Sequence, residues 1–160
     1  MLCVLCGESG QFNSVEHLVP ESLGNDILVL GAGWLCDACN NICSGFESRA
    51  LSSSILGVER CRLGVVTKKR KPARASLFGV LWEAEPLRKR GVVSAEADWS
   101  QIPILPRADG TYTMAFPLHD TSNYDIAKLL LKMGLELLAV HDAASGATRD
   151  RSAAKGHVLV

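Results

Sequence analysis

Four of the six cysteines stand in two pairs, Cys3/Cys6 and Cys36/Cys39, each with a two-residue spacer. That spacer lets both thiolates of a pair reach one ion from a tight turn, and Gly7 supplies the permissive backbone such a turn needs. Two such turns give four sulfurs, which fill the tetrahedron of a structural Zn²⁺. A filled tetrahedron has no open position, so this zinc is expected to hold residues 3–6 against 36–39 and to take no part in catalysis. Cys43 and Cys61 are surplus. Both read as small buried hydrophobes, with Cys43 a competing ligand by sequence proximity.

Between the pairs lies "SVEHLVPESLGN", Ser14 to Asn25. Glu16 and His17 are adjacent there, and Asn40 directly follows Cys39. A carboxylate and a carboxamide oxygen are hard ligands that suit Mg²⁺. An imidazole beside them is a general base near neutral pH. The set suits hydrolysis of a phosphodiester: the ion stabilises charge on the phosphate and the leaving oxygen, and His17 activates water. Plainer readings stand beside this one. His17 also reads as a surface histidine, Glu16 as a solvated acid or a tautomer-fixing partner of His17, and Asn40 as a helix-capping residue.

These residues need elements to position them. Ser14–Val19 alternates like a short strand and stops at Pro20; "PESLGN" is turn chemistry; "DILVL" reads as a strand or buried loop, and "WLC" as a second short strand. Adjacent strand residues point to opposite faces, so Glu16 and His17 meet a common ion only at a twist or bulge. From Asp37, a candidate cap, Ile42, Phe46, Leu51 and Ile55 recur near helical spacing. The coarse frame is a hairpin, then a helix, with zinc at its base. Further on, "ASLFGVLWEAEPL" and "TYTMAFPL" each read as a strand. "DTSNYDIAKLLLKMGLELLAVHDA" reads as an amphipathic helix capped by Asp120 or Ser122. Its expected apolar face is Ile126, Leu129, Leu130, Met133, Leu137 and Leu138, with Lys128, Lys132 and Glu136 opposite.

Composition bounds the function classes. The 160 residues are 48% apolar and 21% charged, a globular composition with net charge zero. A strongly basic nucleic-acid-binding chain is therefore excluded, though two local runs, Lys68–Arg74 and Arg88–Arg90, read equally as phosphate-tracking faces or as solvated loops. Trp34, Trp82 and Trp99 read as core residues rather than base-stacking platforms. No apolar stretch reaches the ~20 residues that span a bilayer, and "MLCVLCGESG" has no signal-peptide pattern. The expectation is a cytoplasmic protein with no membrane partner, where paired cysteines bind metal rather than form disulfides.

Residues 3–47, "CVLCG…VEHLVPESLGN…WLCDACNN", resemble the HNH endonuclease family, the ββα-metal nucleases, in the form stapled by four zinc-binding cysteines. The resemblance implies an α+β chain. A zinc-stapled ββα module would occupy 1–56; beyond it no motif of that family applies, and the residues themselves read as a basic connection over 57–75, a small α+β region with a C-terminal amphipathic helix over 76–142, and a frayed tail over 143–160 of a truncated or divergent chain. It implies a DNA endonuclease, a hydrolase with His17 as general base and Glu16 and Asn40 as ligands of a catalytic Mg²⁺ or Mn²⁺. Glu47, about two helical turns past Asn40, is a further candidate acid. One departure stands out: where many members carry an Asn that buttresses the hairpin, this chain has Gly31 or a near neighbour, and Asn25 is the available substitute. The rival readings are a zinc-ribbon-like module that grips nucleic acid or protein without cleaving, and an inactive nuclease remnant.

Overall fold

The computed structural model describes residues 2–67, 69–85, 91–115 and 123–146 of an α+β chain. The elements run β1 (Glu16–His17), β2 (Val29–Leu30), α1 (Asp37–Ser52), α2 (Ile55–Arg62), β3 (Arg74–Leu77), β4 (Val80–Ala84), β5 (Val93–Glu96), β6 (Ile104–Pro106), β7 (Tyr112–Met114) and α3 (Asn123–Ser145). They fall into two units. The first joins the described parts of 1–50 and 124–160, and the second comprises residues 51–123. The division differs from a plain N-to-C partition, because α3 groups with the first fifty residues across the whole second unit.

In the first unit β1 pairs antiparallel with β2, Glu16 opposite Leu30 and His17 opposite Val29. Two-residue strands are too short to hold themselves, so the connecting loop carries the register. It turns through a 3₁₀ segment, Glu21–Leu23, closed by Gly24 at φ 86°, a conformation that favours glycine. The segment "WLC" is not a strand; one backbone bond, Val4 N–H to Trp34 O at 3.0 Å, joins it to the first cysteine turn.

Asp37 opens α1 as its first helical residue rather than as a cap outside it. Its carboxylate accepts hydrogen bonds from the backbone and side chains of Asn13 and Ser14, at 2.9 to 3.2 Å. Those bonds, Asn13's side chain first, hold it below the usual aspartate range and tie the incoming chain to the helix start. The buried face of α1 is Cys43, Phe46, Ala50 and Leu51, while Ile42 and Ile55 are exposed. The expected long helix breaks after Ser52, because Ser54 turns extended and accepts the Leu56 N–H at 3.0 Å, capping α2.

In the second unit α2 packs on the antiparallel sheet β3–β4–β5. Cys61, Ala73, Ala75, Leu77, Val80, Trp82 and Ala84 form its core. Gly57 permits this approach, since a Cβ there would lie 2.8 Å from the Ala75 Cβ. Of the stretch expected as one strand over 75–87, the described residues 75–84 fold as a hairpin, β3 with β4. Phe78 at φ 55° and Gly79 at φ 75° make the turn, the primed geometry that suits strand twist. β6 and β7 form a separate hairpin. Of the tryptophans, Trp82 is buried and Trp99 is exposed. Residues 57–62, expected as part of a basic connection, are the body of α2.

α3 is a helix as expected, but its buried face is shifted: of the expected apolar face Leu129 stays buried, and two residues expected opposite it join it. Lys132 and Glu136 are fully buried with Leu129 and Ala139, while Leu130, Leu137 and Leu138 are exposed. The candidate caps Asp120 and Ser122 lie outside the described residues, as do Lys68, Arg88–Arg90 and most of the expected tail. Among the described residues no helix is long and apolar enough to cross a membrane.

Candidate functional site

The ligand sulfurs of Cys3, Cys6, Cys36 and Cys39 all lie within 4.8 Å of one another. Those of Cys6 and Cys36 are 3.9 Å apart, close to the ~3.8 Å edge of a tetrahedron with Zn–S bonds of ~2.3 Å. The turns bring their own N–H donors to the sulfurs: Cys36 N–H to Cys3 Sγ at 3.4 Å and Cys39 N–H to Cys36 Sγ at 3.5 Å. Gly7, at φ 74°, closes the first turn on Cys3 O. Burial pushes the Cys3 thiol up, but the surrounding backbone N–H groups outweigh it and bring it down to about 7. Burial and the neighbouring sulfurs push Cys39 far up. Four thiolates so placed repel one another until a cation sits among them, so the donor set fits a zinc ion. Cys43 is buried but outside this set, its thiol pushed up to about 12 by burial.

Asn40 sits one residue past Cys39 in the first turn of α1, its N–H bonded to Cys36 O at 3.0 Å. The four-cysteine cluster therefore fixes where Asn40 starts its helix. Glu16 and His17 take opposite faces of β1, as strand geometry requires: Glu16 is buried beside Leu30, and His17 is half-buried on the side of the exposed Val29. His17 Nδ1 is buried and has no hydrogen-bond partner. An orphaned imidazole nitrogen of this kind calls for a reason.

Asn25 staples the hairpin. Its Nδ2 donates to Val19 O at 2.6 Å and Leu28 O at 3.1 Å, and its Oδ1 accepts from Ile27 N–H at 3.2 Å and Leu28 N–H at 2.8 Å. All of the amide's capacity goes to the loop between β1 and β2. Gly31, by contrast, is exposed and open. The residue that braces the hairpin is thus Asn25, from the turn itself.

The residues missed in the sequence are Lys132 and Glu136. Lys132 Nζ lies 2.7 Å from Glu16 Oε1, 2.9 Å from Glu47 Oε1 and 3.3 Å from Glu136 Oε1. Glu47 is therefore an ion-pair partner of Lys132, not an ordinary surface acid. Glu16 Oε1 also accepts the His17 N–H at 3.0 Å. Both contacts fall on Oε1. Burial alone would lower the Lys132 pKa, but Glu136, Glu47 and Glu16 together raise it. Glu136 goes the other way for an acid: burial first, then the other two carboxylates, push it up to about 8 against the pull of Lys132. Arg49 and Asp125 add a two-pronged pair between α1 and α3, at 2.9 and 2.8 Å. The only sequence signal for this cluster was a Lys–Glu pair at i,i+4 inside a run of leucines. Of the basic run, Lys69, Arg70, Lys71 and Arg74 are exposed, and Arg74 pairs with Glu83.

Comparison of the chain with protein-family models, curated proteins and solved structures returns no match.

Two outcomes follow from this geometry. Cys36→Ser leaves three sulfurs, so bound zinc, measured by mass spectrometry, is expected to fall and the melting transition of the first unit to be lost; an unchanged melting curve contradicts this. Glu136 has a folded-state pKa raised from 4.5 to about 8, so the stability it confers is full below about 4.5 and fades as pH rises through 8. Glu136→Gln, neutral at every pH, is expected to match wild type at about pH 5 and to exceed it at about pH 9 in urea unfolding. Parallel profiles would contradict the assignment.

Proposed function

We propose that the chain is a zinc-stapled ββα nuclease that hydrolyses DNA phosphodiester bonds. The observation that carries the reading is the hairpin β1–β2 leading into α1. It offers Glu16 and His17 from one strand and Asn40 from a helix start that the four cysteines fix. In this reading zinc is structural, and Glu16 Oε2 and the Asn40 carboxamide hold a catalytic Mg²⁺ or Mn²⁺. Such an ion, when bound, supplies charge stabilisation at the phosphate and the leaving oxygen. His17 accepts the proton of the attacking water at an imidazole nitrogen. Asn25 keeps the β1–β2 loop in the register that presents His17 beside Val29. Lys132 turns the Glu16 carboxylate by its Oε1, so that Glu16 serves as an oriented acid rather than a free one.

A second reading has its own observation. Glu16 is buried and paired with a buried ammonium, which also suits a purely structural acid in a zinc-bearing binding module.

Plasmid nicking separates the two. With zinc-loaded protein and added Mg²⁺ or Mn²⁺, wild type is expected to nick, and His17→Ala to be slower by about a hundredfold or more, with zinc content and far-UV spectrum unchanged. No metal-dependent nicking by wild type would leave the binding reading; equal nicking by His17→Ala would remove His17 from the base role.

A further inference from the structure

Arg60, Arg62, Lys68, Lys69, Arg70, Lys71 and Arg74 follow one another with no acid between Glu59 and Glu83. In a chain of net charge zero this is a concentrated positive segment. Part of its charge is neutralised within the second unit: Arg62 pairs with Glu59 at 2.7 Å, and Arg74 with Glu83 at 2.9 Å. Lys69, Arg70 and Lys71 are exposed and have no carboxylate partner among the described residues.

The backbone holds these three on one tight turn. Arg70 N–H donates to Thr67 O at 2.8 Å, Thr67 N–H to Lys71 O at 3.0 Å, and Lys71 N–H to Thr67 Oγ1 at 3.2 Å. An antiparallel bridge between Val66 and Pro72 closes the base. The turn sets Arg70 at φ 56°. Glycine and asparagine take that conformation at least cost, and a long side chain is uncommon there. The turn alone therefore favours a residue other than the one present. What arginine adds is a planar charged donor that grips a phosphate with two N–H groups. Strained positions of this kind concentrate where a side chain is held for a ligand. Duplex DNA carries one negative charge per about 1.7 Å of its axis, so neighbouring cations on one turn reach separate phosphates. A lipid surface fits less well. Peripheral membrane binding joins cations to an inserted apolar face, whereas Lys69, Arg70 and Lys71 are charged and the flanking Val65 and Val66 are half-buried. We infer that the Lys69–Lys71 turn is a docking surface for the phosphate backbone of duplex DNA, independent of base sequence. The inference rests on the second unit alone and holds whether or not the first unit cleaves.

The test is fluorescence anisotropy of a short labelled DNA duplex titrated with the full zinc-loaded chain, without Mg²⁺ or Mn²⁺, over a range of salt. Wild type is expected to bind, with an affinity that falls steeply as salt rises. Lys69→Gln/Arg70→Asn/Lys71→Gln is expected to weaken binding at least about tenfold and to reduce the slope of log affinity against log salt by about 2 to 3. Zinc content and melting are expected to be retained, because the Arg70→Asn change suits a positive φ. Arg70→Gly is expected to melt no lower than wild type and still to bind less tightly, which separates a residue held for its ligand from one held for the fold. No binding by wild type at low salt, or a triple variant with unchanged affinity and slope, overturns the proposal. Capture of the chain by phosphatidylserine vesicles but not by the duplex also overturns it, and makes a lipid surface the partner. An Arg70→Gly protein that binds as tightly as wild type overturns the part given to Arg70.

Discussion

Lys132 Nζ is where three distant parts of the sequence are held together. It draws Glu16 from β1, Glu47 from α1 and Glu136 from its own helix, at 2.7, 2.9 and 3.3 Å. One buried ammonium cannot neutralise three carboxylates, and burial together with the other two carboxylates pushes the Glu136 pKa up to about 8 against the pull of Lys132. Taking such groups from water is costly, and the arrangement repays it only with every partner present. That requirement buries Lys132 and Glu136 beside Leu129, ties α3 to β1 and α1, and fixes the Glu16 carboxylate behind the strand that carries His17.

A second anchor works from the other end of the module. The four cysteine sulfurs bind the N-terminal turn to the start of α1, and with it Asn40. Asp37 adds the bonds that bring Asn13 and Ser14 to the same helix start. β1 and β2, too short to persist alone, are thus held at one end by the cysteine cluster, at the loop by Asn25 and from behind by Lys132. Within the proposed function, this rigidity is what lets a two-residue strand present an acid and a base to different neighbours. The same packing of α3 that buries the charges leaves Leu130, Leu131, Leu137 and Leu138 outside.

Much of this was legible in the sequence where a local spacing settles the matter. The two-residue spacers of Cys3/Cys6 and Cys36/Cys39 read directly as a four-sulfur cluster, and the hairpin-then-helix order followed from turn residues and period. Periodicity failed at α3 because it weighs the leucines of the helix and cannot see that Glu16 and Glu47, remote in sequence, require a buried cation. It failed at Ile55 because α1 ends at Ser52 and Ser54 caps a new helix. The Phe78–Gly79 turn was hidden because a bulky residue at positive φ carries no turn signal. The bracing role of Asn25 was visible only as a candidate, since its four bonds depend on the loop closing.

The direct measure of this account is a double-mutant cycle in chemical unfolding, with Lys132→Met, Glu16→Gln and the pair. Lys132→Met alone is expected to cost about 3–5 kcal/mol, because it strands buried carboxylates. Its cost is expected to shrink by more than about 1 kcal/mol when Glu16 is already neutral. Single effects that add to within about 0.5 kcal/mol would show the two residues to be uncoupled and would contradict Lys132 as the centre of the module.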